Sequence, residues 1–337
     1  MNASELEATA RDLVAERKGI LAADESSGTI QKRLASIGVE STEHSRRAWR
    51  QLLFTTPGID EYISGVILFD ETIRQHANDG RRLVDILTAN GVLPGIKVDK
   101  GAKPLVGSSS EKVTEGLDGL RARLAEYCDL GARFTKWRAV IAIGPGLPSS
   151  HAIAVNADVL ARYAALSQEA GLVPIVEPEV LMDGSHDIHR CLEVTSATLR
   201  RVFQSLAEQG VHLEGILLKP NMVLSGKDAP TREGPEAVAA ATVRCFRRAV
   251  PAAVPGIVFL SGGQTDAEAT ENLDAINRLS ADQPWELSFS YGRGLQATPL
   301  KVWGGDAANV PAAQAAFQER ARLTSAARMG AYEPAMA

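Results

Sequence analysis

Eight short apolar runs, each ending in polar residues, constrain this chain more than any other feature. They are Gly19–Asp24, Gly65–Asp70, Pro94–Asp99, Phe134–Arg138, Val173–Glu179, Ile216–Lys219, Gly256–Ser261 and Leu287–Arg293. Near-continuous apolar strands are what a parallel sheet covered on both faces requires. Helical spacing lies between them. Trp49, Leu52 and Leu53 fall at i, i+3, i+4; Leu160, Tyr163, Ala164 and Ser167 repeat the pattern, with Gly171 as a C-terminal stop. No GxGxxG follows the first run, and no linker rich in Pro, Gly or Ser divides the units. The reading is therefore α/β: a closed (β/α)8 TIM barrel over residues 1–337 as one domain. Extra helices are expected before about residue 19 and after about residue 311. At the start, Ser4 and Glu7 have capping-box spacing.

Composition excludes several classes. The 337 residues carry a net charge of -5, with no basic surplus for nucleic acid. Three cysteines, Cys128, Cys191 and Cys245, lie far apart with no CxxC, as expected of reduced thiols. No signal-like segment opens the chain and no apolar run is long enough to span a bilayer, so a soluble, cytoplasmic protein is expected.

In such a barrel the active site forms at the carboxyl ends of the strands. Asp24, Lys97, Lys136, Arg138, Glu177, Glu179, Lys219, Ser261, Ser290 and Arg293 all fall there. Lys219 is the most informative of them. It follows Ile216-Leu217-Leu218 and precedes Pro220, in a segment (214–222) that reads as a buried strand. Its head can snorkel to water. If desolvated instead, it becomes a neutral amine able to attack a carbonyl. Strand side chains alternate, so Lys136/Arg138 and Glu177/Glu179 each set two like charges on one face. Facing the barrel mouth, the two pairs neutralise each other and hold an anionic substrate. A structural salt-bridge layer would use the same residues, but ten polar side chains at strand ends favour function. Lys136 is expected to keep Lys219 neutral, and Glu177 is expected to be raised toward neutral pH by Glu179 and burial. Ser261-Gly262-Gly263 and Ser290-Tyr291-Gly292-Arg293 suit a phosphate site. Together these residues suggest Schiff-base chemistry on a phosphorylated carbonyl compound. Metal ligation is disfavoured: no histidine ends a strand, and His186 and His189, near Asp183 and Asp187, read as a loop entering a helix.

The chain closely resembles class I fructose-1,6-bisphosphate aldolase, nearly colinearly from about residue 6 to 329. The motifs are Gly19-Ile-Leu-Ala-Ala-Asp-Glu-Ser26, Gly95-Ile-Lys-Val-Asp-Lys-Gly101, Lys136-Trp-Arg138, Val173-Pro-Ile-Val-Glu-Pro-Glu179, Leu217-Leu-Lys-Pro-Asn-Met222, Phe259-Leu-Ser-Gly-Gly-Gln264 and Ser288-Phe-Ser-Tyr-Gly-Arg293. The resemblance implies a homotetramer that takes sugar phosphates and needs no metal or other cofactor. It implies Lys219 as the Schiff-base lysine and Glu177 as general acid/base, with Glu179 holding the charge pattern. Asp24 would orient the C4 hydroxyl beside Lys136. Ser261, Gly262, Ser290, Gly292 and Arg293 would bind the C1 phosphate. Ser26, Thr29, Lys32, Arg33 and Lys97 would sit by the C6 phosphate, with Arg138 lining the pocket.

Two departures stand out. Thr29 occupies a position where the family usually has serine. Many members also carry a mobile carboxyl tail ending in tyrosine, which helps protonate the enamine and favours the bisphosphate. Here the last tyrosine is Tyr332, ahead of Ala335-Met336-Ala337. The resemblance thus leaves open a preference for fructose 1-phosphate or sedoheptulose 1,7-bisphosphate, and the remaining alternative is a non-catalytic binding scaffold on the same barrel.

Overall fold

The computed structural model describes residues 2–280 and 282–336. Among them, eight parallel strands close into a barrel. They are β1 (Gly19–Ala23), β2 (Ile63–Leu68), β3 (Leu93–Lys97), β6 (Phe134–Ile141), β7 (Val173–Val180), β8 (Leu217–Leu218), β9 (Gly256–Phe259) and β10 (Glu286–Tyr291). A small antiparallel hairpin, β4 (Ala102–Pro104) with β5 (Lys112–Thr114), interrupts the β3-to-β6 connection. No sequence signal marked it, because its three-residue strands are mostly exposed.

Each apolar run became a strand because both of its faces are covered. β1, β2, β7 and β9 are buried at every position. Leu6, Leu13, Ile20, Ile67, Phe134, Ile175, Leu217 and Val258 fill the barrel's lower interior under the helix Ala3–Leu13. The larger core lies between strands and outer helices. Trp49, Leu52 and Leu53 on the helix Glu43–Phe54 and Leu160, Tyr163 and Ala164 on Ser150–Glu169 all face it. Gly171, at φ +80°, follows the end of the latter helix.

Two local expectations fail. Asn2, not Ser4, is the N-cap of the first helix; Ser4 instead donates to Asn2 Oδ1 at 2.8 Å, so no capping box forms with Glu7. The run at 214–222 is a strand for only two residues. A 3-10 turn occupies Leu213–Gly215, and Pro220, lacking an N–H, ends the ladder just above Lys219.

Candidate active site

The carboxyl ends of the strands surround a cavity of about 960 Å³. Its walls include Asp24, Ser26, Thr29, Arg33, Lys97, Lys136, Arg138, Glu177, Glu179, Lys219, Ser261, Gly262, Ser290, Gly292 and Arg293. Lys32 is absent from the lining: it is exposed on the helix Ser27–Ala35, while Arg33, one residue on, faces the cavity.

Lys136 is the electrostatic centre. Its Nζ lies 2.5 Å from Asp24 Oδ2 and 3.2 Å from Glu177 Oε2, and all three side chains are nearly buried. In register Lys136 opposes Ile175, so its long stem must reach one pleat upward to meet Glu177. Arg138, which opposes Glu177, likewise reaches up to Glu179 at 2.5 Å. The two like-charged pairs therefore neutralise each other across the β6–β7 boundary.

Lys219 is 3% exposed, and its Nζ stands 3.5 Å from Glu177 Oε1. Burial pulls its ammonium below the ordinary lysine range, and Lys136 reinforces this against the opposing pull of Glu177. The Glu177 carboxyl behaves differently from the sequence expectation. Burial does push it up, but the charges of Lys136, Lys219 and Arg138 outweigh burial and hold it below the ordinary carboxylate range. Glu179 cannot raise it, because Arg138 occupies that carboxylate. Burial opposes ionisation of Asp24 too, yet Lys136 and Lys219 leave it strongly acidic. Lys136 itself, desolvated but flanked by Asp24 and Glu177, stays protonated well above the usual range.

At one rim, Ser261 and Ser290 are buried, and Ser290 Oγ has no partner. Gly262 adopts φ +53°, which favours glycine, and a Cβ at Gly292 would sit a tight 3.2 Å from the Ala22 carbonyl. The helix Arg293–Trp303 begins there with its positive end toward the cavity. Arg293 donates to the Gly262 carbonyl at 2.6 Å, tying the two turns together. After β1, the strand beside β10, the Ser26 and Thr29 hydroxyls are 3.2 Å apart, within hydrogen-bond distance of each other. Lys97 is paired with Asp99 at 2.5 Å, and Asp99 also accepts the backbone N–H groups of Gly101 and Arg138.

Sequence reasoning missed the residues that brace this site. Buried Glu25 takes Arg33 and Arg50 as ion partners and Gln296 Nε2 at 2.9 Å. Gln296 also donates to the Ala22 carbonyl and accepts from Trp49, linking the last strand's helix to β1. Glu25 was visible beside Asp24. Arg50 and Gln296 were not, since a polar residue on a helix face carries no mark of which side it buries. Asp70, Lys100 and Arg123 also line the cavity without having been singled out. Of the loop residues considered for metal, Asp183 pairs with Lys227 at 2.5 Å and Asp187 caps the helix Ile188–Glu208. Tyr332 is buried, and its N–H donates to Asp274 Oδ1 at 2.9 Å.

A parallel eight-stranded barrel with a desolvated lysine, a buried carboxylate beside it and glycine turns on its rim has the parts an imine-forming lyase requires. The comparisons with known proteins agree. The family model described as fructose-bisphosphate aldolase class-I matches residues 5–337. A probable class 1 fructose-bisphosphate aldolase of Xanthomonas axonopodis pv. citri is 56% identical over 99% of this chain and all of its own. The cytosolic fructose-bisphosphate aldolase 4 of Arabidopsis thaliana is 57% identical over 94% of this chain and 80% of its own. Among solved structures, the Plasmodium falciparum aldolase, crystallised with TRAP and a small-molecule inhibitor, superposes with a TM-score of 0.97. It is 49% identical, covering 98% of this chain and 96% of its own. The chain belongs to the class I fructose-bisphosphate aldolase family, lyases that cleave fructose 1,6-bisphosphate through a Schiff base.

Proposed function

We propose that Lys219 is the Schiff-base lysine of this aldolase, with Glu177 as its proton shuttle. The observation that carries this is the 3.5 Å approach of Lys219 Nζ to Glu177 Oε1, with both side chains nearly buried. The neutral amine attacks the C2 ketone of open-chain fructose 1,6-bisphosphate, forming a C–N bond while the carbonyl pair moves to O2. Glu177, held as a carboxylate, takes the proton released by nitrogen and passes it to O2, giving the carbinolamine; a second proton, drawn from solvent through the same carboxyl, lets that hydroxyl leave as water and an iminium remains. Its depressed pKa suits this order: accept first, then donate. The C4 hydroxyl gives its proton to the Asp24 carboxylate beside Lys136. The C3–C4 bond breaks, its electron pair flows into the iminium as an enamine, and glyceraldehyde 3-phosphate departs. Protonation at C3 and hydrolysis then release dihydroxyacetone phosphate. Lys136, permanently charged, stabilises the oxyanion developing at O4.

Ser261, Gly262, Ser290, Gly292 and Arg293 are assigned to the C1 phosphate, and Ser26, Thr29, Arg33 and Lys97 to the C6 phosphate. Arg138 braces Glu179 at the pocket wall. The catalytic unit is one domain, assembling as a homotetramer in the cytoplasm. Relatives named cytosolic and the lack of any helix long and apolar enough to cross a membrane, among the described residues, support the location.

Borohydride reduction in the presence of dihydroxyacetone phosphate tests the central assignment. Peptide mass spectrometry should find the adduct on Lys219. An adduct elsewhere, or activity abolished by EDTA with no adduct, would overturn it.

A further inference from the structure

The β7–β8 boundary is lightly paired at the level of the chemistry. The strands pair only at Ile175–Leu217 and Val176–Leu218, and Lys219 N adds one last bond to the Val176 carbonyl at 2.8 Å. Above that rung Pro178 on β7 has no N–H to offer, and Pro220 after β8 turns the other way, its carbonyl accepting the Leu260 N–H at 3.1 Å, so the backbone pairing stops there. Yet Glu177 and Glu179 lie on this stretch of one chain, and Lys219 at its foot on the other.

Asn221 bridges the gap. Its side chain is buried, its Oδ1 accepts the Val180 N–H at 3.0 Å, and its Nδ2 donates to the Met222 carbonyl at 3.0 Å and to Thr195 Oγ1 at 3.2 Å. Thr195 belongs to the helix Ile188–Glu208, which packs behind both strands. One carboxamide thus ties β7, the segment after Lys219 and the covering helix to a single point. The acceptor end meets a backbone N–H, which can only donate, and the donor end meets the Met222 carbonyl, which can only accept. No side chain without both functions can replace it.

We infer that Asn221 is a positioning residue for the aldol chemistry, substituting for the missing backbone rungs and setting the separation of Lys219 from Glu177. This rests on the assignment of those two residues proposed above. The group touches neither substrate nor the reacting atoms; it acts by holding the two strand ends in register while protons pass between them.

The test uses the full-length protein carrying Asn221→Ala and, separately, Asn221→Asp. Asp keeps the volume but turns an acceptor toward the Met222 carbonyl and Thr195. Circular dichroism first establishes that each variant is folded; should Ala fail to fold, the near-isosteric Asp decides the same question. Loss of register near the reacting groups is expected to lower kcat by roughly 10- to 100-fold. KM should change little, because the phosphate turns lie on other strands. In Asn221→Ala, loosening the Lys219–Glu177 contact also removes a charge that favours the ammonium, so borohydride trapping should reach half its maximum at a lower pH than in the wild type; in Asn221→Asp the added carboxyl opposes that shift, and kcat is the readout. A folded variant with wild-type kcat and an unmoved trapping profile would overturn the inference. If wild-type protein is not trapped on Lys219 at all, the mechanism has failed instead, and that result is distinct.

Discussion

Lys219 Nζ and Glu177 Oε1 stand 3.5 Å apart at the ends of adjacent strands, within reach of one proton but not locked in a short ion pair. Lys136 explains the distance. It draws Glu177 from the other side through Oε2 at 3.2 Å, so the carboxylate is shared between two lysines of which only one stays firmly charged.

Lys219→Arg should abolish turnover, since a guanidinium does not shed its proton to form an imine. A coupled assay of fructose 1,6-bisphosphate cleavage reads it, with borohydride trapping as the second readout. Near-normal cleavage by this variant would rule out the Schiff-base assignment.

Glu177→Gln should lower kcat by about 10²- to 10⁴-fold, the usual contribution of a general acid–base group. It also removes the carboxylate that favours the Lys219 ammonium, so amine attack to the carbinolamine should persist at lower pH while its dehydration to the iminium stalls. Rapid-quench trapping of carbinolamine and iminium would resolve the two steps.

Lys136→Met should destabilise the fold as well as silence it. Asp24 and Glu177 would be left buried without their shared cation, a situation that typically costs about 3–5 kcal/mol. Thermal unfolding monitored by circular dichroism should show a Tm several degrees below wild type. An unchanged Tm would mean that water already screens these carboxylates.

Acid stability follows from the same cluster. Asp24 and Glu177 both titrate below their ordinary values of 3.8 and 4.5 in the folded state. The unfolded chain therefore takes up protons first on acidification, so their stabilisation is complete above those values and is lost as pH falls below them. Wild-type Tm should drop more steeply than that of Asp24→Asn between about pH 5 and 3, where unfolded carboxyls titrate. Lys219 works with the opposite charge but the same slope. Its folded pKa lies below the ordinary 10.5, so stability gains with rising pH between the two values, and imine formation accelerates as pH passes the lower one.

Arg293→Ser should weaken dihydroxyacetone phosphate binding by roughly 10- to 100-fold, the worth of a charged hydrogen bond of about 1.5–3 kcal/mol. Part of the loss would come from freeing the Gly262 turn that Arg293 now holds. Calorimetric titration with dihydroxyacetone phosphate measures it directly.

The barrel was readable in the chain because a strand buried on both faces has to be apolar nearly throughout, and eight such runs leave few other folds. Lys219, Lys136, Glu177 and Asp24 were readable for a related reason: a charge ending an apolar strand has to be accounted for. Sequence also placed Lys136/Arg138 and Glu177/Glu179 on common faces, since strand alternation is a local rule. What stayed hidden depends on distance through space. The downward shift of Glu177 sums charges from β6 and from the end of β8, and Arg138's capture of Glu179 removed the one carboxylate expected to oppose it. That Arg33 rather than Lys32 meets the cavity depends on how the helix Ser27–Ala35 is rolled, which its neighbours decide. The grip of Arg50 and Gln296 on Glu25 joins residues 25 and 271 positions apart. Local pattern determines which segments must be buried and where charge must surface among them; only the folded chain decides which charges meet, because Coulomb energy and desolvation act across space and not along the sequence.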